Sequence, residues 1–297
     1  MSRRAWLLFA AMCVIWGIPY LLIRVAVRDL SPAMLVFSRT TIAAAVLLPL
    51  AAARHELRPV FARWRPLLLF AAVEIAIPWL LLSSAERRVS SSFTGLMIAV
   101  VPLVGAAITR ERLGAWSFGG LALGLVGVAA LVGLDLNGTS VLSLVEIAGV
   151  IVGYAVGPIV LSRSLRGLPA LGVIAASLGV TTIVYLPFGV IDFPTSTPPA
   201  KVIASVIGLA LVCTALAFIL FFALIAEVGP VRATVITYVN PAVAAALGVG
   251  LLNERFTTGM GVGFALILIG SVLAARRPPL QGVDLRSSGE ARLGAEA

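Results

Sequence analysis

Charge is scarce in this chain: Asp, Glu, Lys and Arg make up only 12% of its 297 residues. With 60% apolar residues and a mean hydropathy of +1.09, it has too few polar groups to cover a soluble globule of that length. Lysine is nearly absent, since Lys201 stands alone and the other 21 of the 22 basic residues are arginine. Histidine is single, and His55 falls in an arginine-rich loop. Without HExxH, a cysteine cluster or an intramembrane serine and histidine pair, the sequence offers no tools for catalysis and calls for no metal or other cofactor. The two cysteines, Cys13 and Cys213, lie inside apolar runs and read as small buried residues, with no metal or disulfide spacing. A formal charge of +9 raises the possibility of nucleic acid, but the arginines sit in short clusters between apolar runs, as topology signals do.

What is abundant is apolar sequence. Ten runs approach the roughly 20 residues a helix needs to cross a bilayer: 5–26, 32–53, 66–84, 90–109, 117–134, 141–161, 169–190, 202–226, 230–252 and 258–275. Breakers such as Ser31 with Pro32, DLNGTS at 135–140 and DFPTSTPP at 192–199 separate them. The first run follows Arg3 and Arg4 and is succeeded by nine more, so it reads as a spanning helix and not a cleaved signal. With the N-terminus in the cytoplasm, thirteen arginines fall on that side against five basic residues outside, which predicts both termini inside. Residues 277–297 lack periodicity and read as a disordered cytoplasmic tail.

The chain also repeats. A shift of 139 residues places Pro241 on Pro102, Pro158 on Pro19 and Arg163 on Arg24. After a four-residue gap, Glu254 and Arg255 meet Glu111 and Arg112, and Gly263 and Gly270 meet Gly120 and Gly127. Five helices per copy is an odd number, so the second copy must enter the membrane upside down. The expected fold is an all-α polytopic membrane protein of ten transmembrane helices, arranged as two inverted five-helix repeats at 1–137 and 138–276. Inverted repeats are a recurring plan of secondary transporters.

The pair Trp16 and Gly17, the small polar stretch Ser90–Gly95 before Pro102, the run Thr237, Tyr238, Asn240 and Pro241, the Glu254–Arg255 corner and the glycine-spaced last helix together resemble the EamA family of the drug/metabolite transporter superfamily. The resemblance spans about residues 5–275. It implies a permease that exports amino acids or related small metabolites by alternating access; multidrug or cation efflux is the alternative, and a non-transporting membrane protein the rival from another class. The implied partners are a small-molecule substrate and the lipid bilayer, with no nucleic acid, and the chain acts as a monomer or homodimer. The arginine and alanine bias points to a GC-rich bacterial genome and hence to an inner membrane.

Polar positions that break the repeat are the best functional candidates. Arg39 and Glu74 fall on Leu178 and Cys213 in the second half. Intramembrane charges are expensive and tend to face a cavity or a partner. Helix rise places the two at depths roughly 8 Å apart, a gap two long side chains can close. They are expected to pair or to face a central cavity together, with Glu74 meeting a substrate cation or carrying a coupling proton; a purely structural ion pair is the competing reading. Trp16, Tyr20, Trp79, Tyr154 and Tyr238 form an aromatic set, read as pocket lining against core packing or interfacial anchoring. Ser83, Ser91, Ser92, Thr94, Thr237 and Asn240 supply hydrogen bonds. Pro19, Pro102, Pro158 and Pro241 shape helices. Gly120 with Gly124, and Gly259 with Gly263, mark close helix packing, and each Glu–Arg corner reads as a structural ion pair.

Overall fold

An apolar run in lipid must satisfy its backbone within itself, and these runs do so as helices. The computed structural model describes residues 2–109, 115–133, 140–228, 233 and 236–274, and among them there is no strand. In chain order the long helices are α1 (Arg3–Ala26), α2 (Pro32–Ala53), α3 (Trp64–Ala85), α4 (Ser91–Ile98, resuming as Val101–Thr109), α5 (Ala115–Gly133), α6 (Val141–Ser164), α7 (Ala170–Ile191), α8 (Ala200–Val228), α9 (Ile236–Leu252) and α10 (Thr258–Ala274). Six of them, α1, α2, α3, α6, α7 and α8, are long and apolar enough to cross a membrane; α4, α5, α9 and α10 contribute shorter apolar stretches. The tail at 277–297 and the Glu111–Arg112 corner lie outside the described residues.

Local chemistry sets the helix ends. Ser2, Ser31 and Ser90 each accept a backbone N–H in the first turn of α1, α2 and α4, and Pro32 opens α2 at a position where its missing N–H is harmless. α1 is interrupted at Trp16–Ile18, because Gly17 and Ile18 both donate to Val14 and Pro19 has no N–H to give.

Hydrogen bonds and ion pairs at the helix ends define two ends of the bundle. At one, Ser2 meets Glu227, Arg63 donates to Ser164 and Arg166, and Glu56 accepts from Gly172 N. At the other, Ser31 donates to Asp192, Arg88 to Ser143 and Glu146, and Glu254 receives the start of α4. Within α1–α4 and within α6–α9, successive helices therefore alternate in direction. α2 packs on α7, α3 on α6, α1 on α8, α4 on α9, and α5 on α10. The last seam depends on glycine: a Cβ at Gly270 would sit 2.6 Å from the Gly120 carbonyl oxygen, and one at Gly127 2.8 Å from that of Gly263.

Candidate functional site

α3 and α8 each widen at mid-length into a π-helical stretch, Ala71–Ala76 and Gly208–Leu216. Adding 139 to the first gives 210–215, which falls inside the second. Such widened turns shift side chains around the axis and recur at functional sites. In α8 the Thr214 hydroxyl donates back five residues, to the Leu209 carbonyl at 2.7 Å.

Both unrepeated charges meet these stretches. Arg39, on α2 and only 7% exposed, donates through Nε to Thr214 Oγ1 at 2.9 Å. Its guanidinium lies 3.6 Å from the centroid of the Trp79 ring. The charge of α2 is thus held between α8 and an aromatic face of α3. Glu74 belongs to the π stretch of α3 itself. Its carboxylate rests on Gly157 of α6, and Oε2 is buried without a hydrogen-bond partner, although the residue as a whole is only partly buried.

The expected Arg39–Glu74 ion pair is not formed. The ion pairs among the described residues are Arg4–Glu227 and Arg88–Glu146. Arg39 is already engaged by Thr214 and Trp79, and Glu74 lies against α6. What the two share is a neighbour: Tyr154 of α6 sits within electrostatic reach of both and beside Trp79.

The other candidates divide between two regions. Trp16, at the break in α1, packs edge-on to Phe218 at 5.8 Å and tilted on Phe221 at 4.7 Å, both from α8. Asn240 of α9, with its amide oriented so that the nitrogen donates, reaches the Cys13 and Ile236 carbonyls at 3.0 Å. That bond answers the break, because the Gly17 N–H that a regular helix would give to Cys13 goes to Val14. Gly17 lets α9 approach, since a Cβ there would lie 3.1 Å from the Asn240 carbonyl oxygen. Tyr20 and Ser83 are buried on α1 and α3. Pro19 starts the second part of α1, Pro102 the second part of α4, and Pro158 and Pro241 lie within α6 and α9. Thr237 is exposed, and the Tyr238 side chain lies outside the described residues.

Ser91, Ser92 and Thr94 sit at the start of α4 instead. The Ser91 N–H and hydroxyl donate to Glu254 Oε1 at 2.8 and 2.9 Å; those of Ser92 donate to Oε2 at 2.8 and 2.6 Å. Thr94 donates to the Ser90 carbonyl. Glu254 therefore caps a helix N-terminus and does not pair with Arg255, a correction to the corner reading. Burial pushes the Glu254 carboxyl up, but the bonds from Ser92 and Ser91 outweigh it and hold it below the usual carboxylate value.

Four contributors escaped the sequence reading: Thr214, Gly157, Glu86 and the capping role of Glu254. Gly153 and Gly157 carry the four-residue spacing that marks close packing, so the seat of Glu74 was detectable. An apolar groove of about 330 Å³ lies elsewhere, between α2, α8 and the loop at 193–198; its lining includes Ser38 but neither Arg39 nor Glu74.

An all-helical bundle of membrane-crossing length, with charged and aromatic groups packed at mid-helix, has the make-up of a polytopic membrane transporter. Residues 3–133 and again 142–276 match the EamA-like transporter family, and the chain belongs to that family, whose members are transporters and not enzymes. It is 30% identical over 300 residues to the Uncharacterized inner membrane transporter YedA of Escherichia coli strain K12, covering 94% of this chain and 95% of that protein. The protein of the same name from Escherichia coli O157:H7 matches equally. A solved crystal structure, described only as that of a protein, has the same fold, with a TM-score of 0.65 at 21% identity over 93% of this chain and 98% of its own.

Proposed function

We propose that this chain is a secondary transporter of the inner membrane that exports amino acids or related small metabolites by alternating access between two inverted five-helix repeats, 1–137 and 138–276, with both termini cytoplasmic. The observation that carries the reading is the placement of the two unrepeated charges: Arg39 against the π stretch of α8, and Glu74 within the equivalent stretch of α3. Symmetry-related scaffold supplies two states of similar energy, and the groups that break the symmetry make one substrate particular.

Several findings support the repeat. The packing of α3 on α6 has its counterpart in α1 on α8, and that of α2 on α8 in α7 on α3. The family match also falls in two segments of similar length. In this reading Glu74 faces the substrate's cationic group, and Arg39, Trp79 and Tyr154 line the same region. An ionised or zwitterionic solute suits one carboxylate and one guanidinium presented on different helices. Reconstituted protein should accumulate members of an amino acid and small-amine panel under an imposed pH gradient; uptake equal to that of empty vesicles across the panel would reject the reading.

A second reading, efflux of lipophilic cations, is favoured by the aromatic contacts of Trp16 with Phe218 and Phe221 and of Phe218 with Phe222. The same panel extended with aromatic quaternary amines separates the two, because aromatic faces hold such cations well.

A further inference from the structure

Glu86 closes the C-terminus of α3, one residue past the span, and it is fully buried at 0% exposure. Neither of its carboxyl oxygens has a hydrogen-bond partner. Three other carboxylates at this end of the bundle are occupied, Glu146 by Ser84 and Arg88, Glu254 by Ser91 and Ser92, and Asp192 by Ser31, while Asp29 is exposed. At the 139-residue shift Glu86 meets Ile225, so it breaks the repeat as Arg39 and Glu74 do.

The groups that face Glu86 are few. From α1 come Arg24, which donates to the Glu86 backbone carbonyl and not to the carboxyl, and the buried Tyr20. From α6 comes Tyr154, and from the end of α9 the carboxylate of Glu254. The start of α4 brings the Ser91 and Ser92 hydroxyls, already given to Glu254. On its own element Arg88 is committed to Ser143 and Glu146. An ionised carboxylate buried in such a place is strongly disfavoured, because too few donors replace its water. A hard metal cation is no better suited, since it demands several oxygen ligands and would lie beside a guanidinium. Among the described residues no group of three potential ligands exists. The species that fits one unpartnered carboxyl group is a proton.

We propose that Glu86 carries the coupling proton of the transport cycle and that Arg24 becomes its counter-ion when the proton leaves. The proposal rests on the secondary-transport reading above and leaves Glu74 free to face the substrate. Release breaks the O–H bond of the carboxyl: the proton passes to water admitted when this end opens, and the electron pair stays on the carboxylate, which Arg24 then pairs. Burial raises the Glu86 carboxyl well above its usual value, Arg24 pulls the other way, and the negative charge of Glu254 adds to the rise. Glu254, fixed by four hydrogen bonds, stands close enough to disfavour a second anion, so proton release is tied to movement at the start of α4.

The test uses full-length protein in phosphatidylethanolamine and phosphatidylglycerol vesicles, followed by infrared spectroscopy of the protonated-carboxyl band as pH is raised. The wild type should show this band at neutral pH and lose it on alkalinisation. Glu86→Gln should remove one component of that titrating band, seen in the difference from wild type, and Glu74→Gln should keep that component even with transport gone. Arg24→Gln should move the midpoint to higher pH, which gives a second readout if Glu86→Gln does not fold. Gradient-driven accumulation of the amino acid and amine panel should be lost in Glu86→Gln. A titrating band identical to wild type in Glu86→Gln overturns the proposal, as does undiminished gradient-driven accumulation in that variant. If the wild type accumulates nothing, the transport reading fails on its own, and the infrared comparison still decides whether Glu86 holds the proton.

Discussion

The carboxylate of Glu74 on α3 rests directly on Gly157 of α6, so that even one added methyl at that glycine would occupy the space of the carboxylate. Glycine at 157 is thus part of the position of Glu74. Gly157→Ala should displace the carboxylate, lower stability by about 1–3 kcal/mol through overpacking, and reduce transport as Glu74→Ala does. The combined Gly157→Ala, Glu74→Ala variant should recover the stability loss, because the two effects share one contact. Thermal unfolding in detergent across the four proteins measures this; additive losses would show that the two side chains are not coupled.

Arg39 is the second anchor. It holds α2 to α8 through Thr214 and to α3 through the face of Trp79. Replacing Trp79 with Leu should remove a desolvated cation–π contact of roughly 2 kcal/mol while keeping most of the apolar volume. Thr214→Val should remove the other contact and leave a similar shape. Each should lower the melting temperature, and each loss should be smaller on an Arg39→Ala background, where only the Thr214 bond to Leu209 and the Trp79 packing remain to be lost. An undiminished effect of either substitution on that background would refute the assignment.

Glu254 makes a pH-dependent contribution. Its carboxyl is held below the ordinary value in the fold, so the stability it supplies is complete above about pH 4.3, the unfolded value, and is lost as pH falls through the lower folded one. Glu254→Gln should cost about 1–2 kcal/mol at neutral pH by weakening charge-assisted bonds to the start of α4. It should also flatten the acid limb of a plot of melting temperature against pH. An acid limb identical to wild type would mean that other carboxylates dominate.

Asn240 ties α9 to the interrupted α1. Asn240→Leu keeps the approximate volume and leaves the Cys13 carbonyl unpaired, which should destabilise by about 1–3 kcal/mol. Hydrogen exchange should rise at residues 13–18 and stay unchanged at the α2–α7 seam. Equal protection at the α1 break would show that another donor satisfies Cys13.

Much of the fold was legible because membranes impose a simple rule: apolar runs of sufficient length become helices. The prolines and serines marked helix ends well, as Ser31 with Pro32 and Ser90 show. The π stretches were not legible, since Ala71–Ala76 and Gly208–Leu216 differ from their flanks in hydrogen-bond register and not in apolar pattern. That shift explains why depth alone suggested an Arg39–Glu74 pair: axial rise says nothing about which way a widened turn faces a side chain. Glu86 and Glu254 escaped for a related reason. At a helix end a carboxylate looks like a solvated corner in sequence, and only packing shows that Glu86 is buried and that Glu254 is bonded to serines 162 and 163 residues away.

The central claim is that the charges breaking the repeat make the transport site. Glu74→Gln tests it most directly, by uptake of the amino acid and amine panel into vesicles under a pH gradient, with correct folding verified by an unchanged elution profile. The account predicts loss of uptake of whichever solutes the wild type carries. Unchanged uptake with an unchanged pH dependence in the folded variant would contradict it.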